Sequence, residues 1–271
     1  MPISSSSRNT VDEIFSEAPH DDQPDKPQAD ELSPVWVVIP AAGVGKRMQA
    51  DRPKQYLSLL GKTVLEHTLQ CFMQHPKVAG VVLVVQAGDP YWAELKPTLQ
   101  TGKPLHIAKG GKERADSVFN GLQMLQNTLN IPNDTWVLVH DAARPCVTQA
   151  EITQLLVGVQ RDPQSVGGLL ALPVRDTMKR QQAPNSNQQD VLVSHTESRE
   201  GLWHALTPQM FRLGLLVDAL GQALASQQTI TDEASAIEWH GFSPLLIEGL
   251  SSNLKITRPA DLDLATFFLK N

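Results

Sequence analysis

Two basic side chains, Arg47 and Lys54, lie close to a small glycine-bearing turn. The turn, residues 41–45 (AAGVG), follows the apolar run 35–39, which predicts a buried strand. Residues without bulky side chains leave backbone N–H groups accessible, and such groups with nearby cations are what a triphosphate needs. An ordinary strand-to-helix turn is the alternative. The two cations favour an anion site, because each costs solvation if buried and gains most beside an anion.

Two familiar phosphate-binding motifs do not fit this turn. A dinucleotide fingerprint needs a glycine where the chain has Met48. A Walker A loop needs serine or threonine after its Gly-Lys pair, but Arg47 follows Lys46, and Pro40 stands where its first glycine should be. The turn is therefore a candidate phosphate site of neither class.

A second candidate segment, residues 140–145 (HDAARP), follows the apolar run 136–139 and contains Asp141. An aspartate at the end of a buried strand is a common ligand of Mg²⁺, or of another divalent cation, in phosphoryl and nucleotidyl transfer. Arg144 adds a fork for a phosphate or a carboxylate. A helix cap or a structural pair with Arg144 is the alternative for the aspartate. The adjacent His140 is either a metal ligand or a structural histidine with its hydrogen bonds satisfied, and we expect the second.

Two further segments join predicted strands to predicted helices. The paired glycines Gly110 and Gly111 let the backbone turn closely against a flat ring such as a nucleotide base. Ser117 could form a hydrogen bond with the edge of that base. A plain loop with a helix cap at Asp116 or Ser117 is the alternative. Residues 231–235 (TDEAS) predict a helix N-terminus capped by the threonine, with acids in the first turn.

Lys255 stands in the short apolar run 254–256. Such a lysine is either a solvated edge residue or is aimed into a cleft. No Ser/His/Asp order and no Cys/His cluster suggests a hydrolase, and no spacing suggests structural zinc. The residues together indicate a phosphate-handling protein with dispersed cations and a magnesium site.

Apolar runs alternate with amphipathic stretches along most of the chain. The predicted strands are 35–39, 80–85, 106–108, 136–139, 166–172, 245–248 and 254–257, and the predicted helices are 64–75, 114–129, 151–159, 213–225, 233–239 and 259–270. This pattern predicts an α/β fold, a doubly wound, mostly parallel sheet with helices on both faces. In such sheets ligands bind beyond the carboxyl ends of the strands, where the turn at 41–45 and Asp141 lie.

The alternation is interrupted at about residues 173–208. The polar stretch 181–190 lies between short strand-like pieces at 176–180 and 191–195. We interpret this region as a β-hairpin arm that protrudes from the sheet and not as a second domain. Because a long exposed hairpin is marginally stable alone, a partner subunit is the expected surface for it.

The charge of the chain is concentrated at its start. The chain has 271 residues and a formal net charge of −6, and residues 1–34 carry eight acids against two bases. We interpret 1–34 as a disordered acidic tail and 35–271 as a single domain. The rest of the chain balances its charges, which gives nucleic-acid binding no support. No apolar run is long enough to span a membrane, and two cysteines without a secretory segment favour a cytoplasmic location.

Several motifs in this order resemble those of nucleotidylyltransferases that make CDP-alcohols. The motifs are Pro40-Ala41-Ala42-Gly43-x-Gly45-x-Arg47-Met48, Pro53-Lys54-Gln55-Tyr56-Leu57, Gly110-Gly111-x-x-Arg114-x-x-Ser117-Val118, His140-Asp141-Ala142-Ala143-Arg144-Pro145, Asp176-Thr177-x-Lys179, Trp203-x-x-x-Thr207-Pro208-Gln209-x-Phe211, Thr231-Asp232-Glu233-Ala234-Ser235 and Asn253-x-Lys255-x-Thr257. Together they narrow the resemblance to the 2-C-methyl-D-erythritol 4-phosphate cytidylyltransferase family of the non-mevalonate isoprenoid pathway. The resemblance runs from about residue 35 to the C-terminus and leaves the tail without a role.

The resemblance implies a Rossmann-like nucleotidyltransferase fold and a reaction of CTP with a polyol phosphate that yields a CDP-alcohol and pyrophosphate. It implies homodimers whose hairpin arms cross, so that Thr177 could serve the partner's site. The implied roles are charge stabilisation for Arg47 and Lys54, phosphate wrapping for Ala41, Ala42, Gly43 and Gly45, cytosine contact for Gly111 and Ser117, Mg²⁺ for Asp141, acceptor positioning for Arg199 and Lys255, and help with the substrate for Arg144, Thr177 and Thr207.

Two alternatives remain at the level of sequence. Enzymes that use another polyol phosphate, such as ribitol 5-phosphate, share the nucleotide half and differ only in the acceptor region, residues 199–207. A non-catalytic nucleotide-binding module on the same fold would be expected to lose Lys54, Asp141 or Lys255, and all three are present.

Overall fold

The structure is a computed structural model that describes residues 31–43, 48, 51–96, 99, 101–183 and 190–271. Most of the predicted acidic tail lies outside these residues, as do Gly45 and Arg47 of the first candidate site.

The chain forms a central seven-stranded sheet and two small two-stranded sheets. The strands are β1 (Val35–Pro40), β2 (Ser58–Leu59), β3 (Lys62–Thr63), β4 (Val78–Val85), β5 (Leu105–Lys109), β6 (Trp136–Val139), β7 (Gly167–Pro173), β8 (Met178–Gln181), β9 (Val193–Glu197), β10 (Trp203–Arg212) and β11 (Leu245–Glu248). The order in the main sheet is β11-β7-β10-β6-β1-β4-β5. Within it β10 runs antiparallel to both of its neighbours, and all the remaining strand pairs are parallel. This confirms the prediction of a mostly parallel sheet.

Helices cover both faces of this sheet, as predicted. They are α1 (Val64–Gln74), α2 (Pro90–Leu95), α3 (Arg114–Gln123), α4 (Gln149–Gln160), α5 (Leu213–Ala225), α6 (Glu233–Trp239) and α7 (Ala260–Lys270). Side chains of β1 alternate between two buried clusters, with Val37 and Ile39 in one and Val38 in the other. The first cluster contains buried residues of α1, α2 and α4, and the second contains those of α3, α5 and α6. This two-sided burial explains why β1 is a continuous apolar run.

Two strand predictions were wrong. Residues 203–212 form β10 of the main sheet, where no strand was predicted and residues up to 208 were assigned to the arm. The first three residues of β10 are exposed, and its register with β7 shifts between Ala205 and Gln209, so no regular strand pattern marks it. The predicted strand at 254–257 does not pair with the sheet. Instead, the backbone N–H of Ile256 donates to the carbonyl of Ala143 at 2.8 Å, and its side chain is buried against α7.

Two helix caps also differ from prediction. Helix α3 is capped by Glu113, in a reciprocal pair with Asp116, and α6 is capped by Asp232, in a reciprocal pair with Ser235. Each of these helices therefore begins one or more residues away from the predicted cap. The observed cap sets where the side chains of the first turn lie.

The predicted arm is present as β8 and β9, which form their own antiparallel sheet. It is shorter than the predicted range 173–208, because Pro173 ends β7 and residues 203–208 belong to β10 of the main sheet. In the part of the chain that the structure describes, no helix is both long and apolar enough to cross a membrane.

Candidate active site

A cleft of about 470 Å³ opens at the carboxyl ends of the parallel strands, where ligands of such sheets bind. The loops after β1, β4, β5 and β6 all reach it. Its lining consists of Pro40, Ala41, Ala42, Gly43, Lys54, Gln55, Gln86, Gly111, Lys112, Glu113, Arg114, Ser117, Asp141, Ala142, Ala143 and Lys255.

The turn after β1 is held by a side chain that the sequence reasoning missed. The amide nitrogen of Gln55 donates to the carbonyl of Ala41 at 2.6 Å and to that of Gly43 at 3.0 Å. The backbone N–H of Ala41 donates to the carbonyl of Val84 at 2.8 Å. Because buried polar groups must be satisfied, these bonds give the small turn one defined shape. The only sequence signal for Gln55 is its position beside Lys54.

The paired glycines allow two loops to meet. A Cβ at Gly110 would lie 2.4 Å from the Cβ of Ala42, so a side chain here would push the two loops apart. The hydroxyl of Ser117 accepts from the backbone N–H of Gly111 at 3.0 Å and donates to the carbonyl of Glu113 at 3.0 Å. Since its one proton is used, Ser117 can offer a base edge only a lone pair.

Asp141 is the electrostatic centre of the cleft. The Nζ of Lys255 lies 2.7 Å from its Oδ2, and the Nε of Arg114 lies 3.0 Å from its Oδ1. The Nε of Arg144 is 3.6 Å from Oδ2. This is an ion-pair distance, but the Nε atom makes no hydrogen bond. Burial alone would raise the pKa of Asp141, but Arg114 and Lys255 hold that pKa far below its usual value. The carboxylate is therefore ionised.

The segment that was predicted as a strand carries or anchors three of the predicted cations. The carbonyl of Asn253 accepts from Nη1 of Arg144 at 2.7 Å, and the carbonyl of Ile256 accepts from the Nζ of Lys54 at 2.8 Å. Lys255 stands between these carbonyls and reaches into the cleft. The question left by the sequence, solvated edge or cleft, is thus answered in favour of the cleft.

Thr207 lies behind Asp141. Its hydroxyl accepts from the backbone N–H of Asp141 at 3.1 Å and is 3.0 Å from Nδ1 of His140. The Nε2 of His140 is 3.1 Å from the carbonyl of Arg144. Burial lowers the pKa of His140 to about 4, so the ring is neutral at pH 7. As expected, His140 is a buried structural histidine.

The arm residues lie elsewhere. Thr177 and Arg199 are exposed and are not part of the cleft lining, and the guanidinium of Arg199 donates to the carbonyl of Arg175. Their roles toward substrate stay predictions. Of the predicted site residues within the described part of the chain, the nucleotide-side set converges and the arm set stands apart.

The sequence did not predict one ion pair at the cleft. Arg114 lines the cleft, and its two terminal nitrogens donate to the carboxylate of Glu233 at 2.7 and 3.2 Å. Both residues occur in motifs that the sequence singled out, but they are 119 positions apart. No local pattern shows that they meet.

Comparison with known proteins agrees with this geometry. The sequence profile of 2-C-methyl-D-erythritol 4-phosphate cytidylyltransferases matches residues 35–271. The chain belongs to this family. A cytidylyltransferase of that name from Alteromonas mediterranea is 53% identical over 236 residues, which cover 87% of this chain and 93% of the relative. The one from Vibrio cholerae is 54% identical over 239 residues, which cover 88% and 97%.

Solved structures of the same family share the fold. The crystal structure of the Francisella tularensis 2-C-methyl-D-erythritol 4-phosphate cytidylyltransferase matches with a TM-score of 0.70 and 35% identity, over 87% of this chain and all (100%) of the other. The cytidylyltransferase profile leaves out residues 1–34 of this chain.

Proposed function

We propose that this cleft transfers CMP from CTP to 2-C-methyl-D-erythritol 4-phosphate, which gives 4-diphosphocytidyl-2-C-methyl-D-erythritol and pyrophosphate for isoprenoid precursor synthesis. Family membership over residues 35–271 supports the reaction. The structural observation that carries it is the convergence of Lys54, Arg114 and Lys255 on one cleft beside a glycine-bearing turn. Such a cleft suits a triphosphate and an anionic acceptor.

The chemistry needs no protein nucleophile. The acceptor phosphate is already an anion, and one of its oxygens attacks the α-phosphorus of CTP in line. The bond from that phosphorus to the bridging oxygen of the β-phosphate breaks, and pyrophosphate leaves with the electron pair. The chain's work is to position the reactants and neutralise charge. We assign charge stabilisation to Lys54 and Arg47, and acceptor positioning to Lys255 and Arg199.

The nucleotide is held by the turn and by the loop after β5. Ala41, Ala42 and Gly43, with Gly45 beyond the described residues, would wrap the phosphates. Gly111 and Ser117 would face cytosine from the other wall of the cleft.

Asp141 fits a divalent cation such as Mg²⁺. Mg²⁺ usually binds through one or two carboxylates together with substrate phosphates, and Asp141 is an ionised carboxylate on the cleft wall. Among the described residues, no group of three or more His, Cys, Asp or Glu could hold an ion by itself, so the phosphates would complete the ligand set. When bound, the cation would neutralise charge on the phosphate oxygens. Lys255 would then exchange its contact with Asp141 for one with substrate.

The acceptor side calls for a second copy of the chain. Thr177 and Arg199 lie on or beside an arm that bears exposed apolar side chains, among them Val191 at 74% and Val193 at 55% exposure. Exposed apolar patches of this kind mark interaction surfaces. We propose a homodimer in which each arm completes the partner's cleft, with Thr207 and Arg144 supporting the site from behind Asp141.

The domain assignment and the location stay as the sequence indicated. We propose one cytidylyltransferase domain over residues 35–271, preceded by an acidic tail with no assigned role. Cys71 and Cys146 are both unpaired, which suits a reducing cytoplasm.

A pyrophosphate-release assay tests the proposal. Purified protein with CTP and Mg²⁺ is offered 2-C-methyl-D-erythritol 4-phosphate, ribitol 5-phosphate and erythritol 4-phosphate, each in turn. We expect the highest kcat/KM with the methylerythritol phosphate. A preference for ribitol 5-phosphate would reassign the acceptor, and no release with any of them would indicate a nucleotide-binding module.

A further inference from the structure

Glu233 is a buried carboxylate that is connected to the active site through another side chain, that of Arg114. It is 1% exposed and is not part of the cleft lining. Its two oxygens accept from Nη1 and Nη2 of Arg114 at 2.7 and 3.2 Å. The third nitrogen of that guanidinium, Nε, donates to Oδ1 of Asp141 at 3.0 Å. One planar group thus joins the buried carboxylate to the carboxylate in the cleft.

Glu233 is itself held rigidly. It is the first residue of α6, whose cap is Asp232. The buried amide of Gln209 donates to Oδ2 of Asp232 at 2.9 Å and accepts from the backbone N–H of Ala234 at 2.8 Å. The strand that carries this amide, β10, also carries Thr207, which bonds the backbone of Asp141. Both ends of the chain of contacts are therefore fixed to one strand.

An ion pair with one fully buried partner is a costly way to join two helices. Apolar side chains of similar volume often stabilise a protein as well or better, because charges lose hydration on burial. The two-point contact does something that apolar packing cannot, since it fixes the plane of the guanidinium and with it the direction of Nε. Burial alone would lower the pKa of Arg114, but Glu233 and Asp141 raise it, so the group stays charged.

We propose that Glu233 is a positioning residue for the nucleotidyl transfer. By holding Arg114 from behind, it keeps Nε on Oδ1 of Asp141 and fixes the orientation of that carboxylate for a cation bound with the nucleotide. It also keeps Arg114 in place when Lys255 leaves Asp141 for substrate. This inference rests on the proposed role of Asp141.

The variant Glu233→Gln keeps the shape and removes the charge. We expect kcat to fall by about 10- to 100-fold, as for other groups that orient a metal ligand. The Mg²⁺ concentration that gives half-maximal rate should rise by roughly 10-fold, and the KM for the methylerythritol phosphate should stay unchanged. Calorimetric titration of CTP with and without Mg²⁺ gives a readout without turnover. The gain in CTP affinity that Mg²⁺ produces should shrink in the variant.

Glu151→Gln is the matched control. Glu151 is also 1% exposed and lies in the first turn of a helix, where it accepts from the backbone N–H of Leu250 at 2.9 Å. It makes no contact with Arg114 or Asp141. This variant should lose a similar amount of thermal stability, while its Mg²⁺ dependence stays that of the parent.

The double variant Glu233→Gln/Arg114→Gln separates positioning from packing. It replaces the ion pair by an amide pair, so its Tm should recover relative to Glu233→Gln. If Glu233 acts through Arg114, kcat of the double variant stays at the level of Arg114→Gln alone, because effects within one network do not add. Recovery of parental kcat together with Tm would make the contact purely structural and overturn the inference.

The remaining outcomes distinguish failure of the inference about Glu233 from failure of the role proposed for Asp141. If the parent protein binds CTP equally with and without Mg²⁺, the role of Asp141 fails and the inference falls with it. If the parent shows the dependence and Glu233→Gln retains it in full, only the inference is overturned. Should Glu233→Gln not fold, Gln209→Met removes the anchor of α6 without a change of charge. It is expected to weaken the Mg²⁺ dependence to a smaller extent, and an unchanged dependence would overturn the inference.

Discussion

The nucleotide side of the cleft and the hairpin arm are built in opposite ways. On the nucleotide side, Asp141 is nearly buried and contacts three cations, and the turn at 41–43 is held by Gln55. The arm is a two-stranded sheet with exposed side chains on most of its length. The first region is organised by contacts within the chain, whereas most side chains of the arm strands are exposed.

The difference indicates how the two substrates are handled. A preorganised, partly buried set of charges stabilises a triphosphate without rearranging when the reaction occurs. An exposed hairpin gains stability only from a surface that covers it. We therefore expect substitutions on the nucleotide side to affect kcat, and substitutions on the arm to affect use of the acceptor.

The largest expected effect is that of Lys54→Ala. Lys54 lines the cleft, and by the family resemblance it stabilises charge on the triphosphate in the transition state. Loss of one such electrostatic group lowers kcat by about 100-fold or more. The measurement is the steady-state rate of pyrophosphate release, with circular dichroism to check folding. Lys62→Ala is the control, since that lysine is exposed and bonds Gln70 outside the cleft. A folded Lys54→Ala protein with near-parental kcat would contradict the role.

Arg199→Ala should act on the acceptor instead. A hydrogen bond to a charged group is worth about 1.5–3 kcal/mol, so the KM for the methylerythritol phosphate should rise by roughly 10- to 100-fold. The KM for CTP should change little. Arg175→Ala, at a neighbouring arginine whose side chain is 81% exposed, serves as control. An effect confined to CTP binding would move Arg199 to the nucleotide side.

Mixing two impaired variants, assayed at an acceptor concentration far below the KM of Arg199→Ala, tests which subunit the arm serves. If Arg199 acts in the partner's cleft, a dimer of Lys54→Ala with Arg199→Ala contains one intact site. Random exchange of subunits should then restore about a quarter of parental activity. If Arg199 acts in its own subunit, no site is intact and the mixture gains no activity over the separate variants. A monomer by light scattering would remove the arm from the proposed site altogether.

The sequence predicted the nucleotide side better than the contacts that hold it. Apolar runs marked the parallel strands because both faces of that sheet are buried, and Asp141 was found because it lies two residues after the end of such a run. These signals are local. The pairing of Arg114 with Glu233 and the support from Gln55 depend on which distant segments meet, and residue types alone do not show that.

The strand errors have the same physical origin. Periodicity reports burial, and β10 was missed because its first three residues are exposed whereas the next six are buried, which gives no single pattern. Residues 254–257 were taken for a strand because Leu254 and Ile256 are apolar, but they pack against the side of α7 instead of joining the sheet. In both cases tertiary contacts outweighed the local pattern.

A smaller effect on the nucleotide side is expected from Gly110→Ala. The new Cβ would meet Ala42 at 2.4 Å, and a methyl group on a fixed backbone cannot turn away. Overpacking of this kind costs about 1–3 kcal/mol, so Tm should fall and CTP should bind more weakly. Thermal unfolding and calorimetry measure the two effects. Gly102→Ala is the control, because its Cβ would meet no described atom within 4 Å. Equal behaviour of the two variants would show that the loops do not need this contact.

The smallest expected effect belongs to the arm. The Nε of Arg180 lies 2.8 Å from Oε1 of Glu197, and the Arg180 side chain is 64% exposed. The hydrogen bond from Arg180, helped by His195, lowers the pKa of Glu197. A carboxyl group whose pKa is lowered by folding stabilises the folded protein at pH values above its ordinary, unfolded-state pKa. This contribution is lost as the pH falls through the lowered pKa of the folded state. Arg180→Ala should return the pKa of Glu197 toward its ordinary value by NMR titration, yet change Tm at neutral pH by less than about 2 °C, because exposed ion pairs contribute little. A larger loss of Tm would mean that the arm is stabilised within its own chain, and the contrast with the nucleotide side would have to be redrawn.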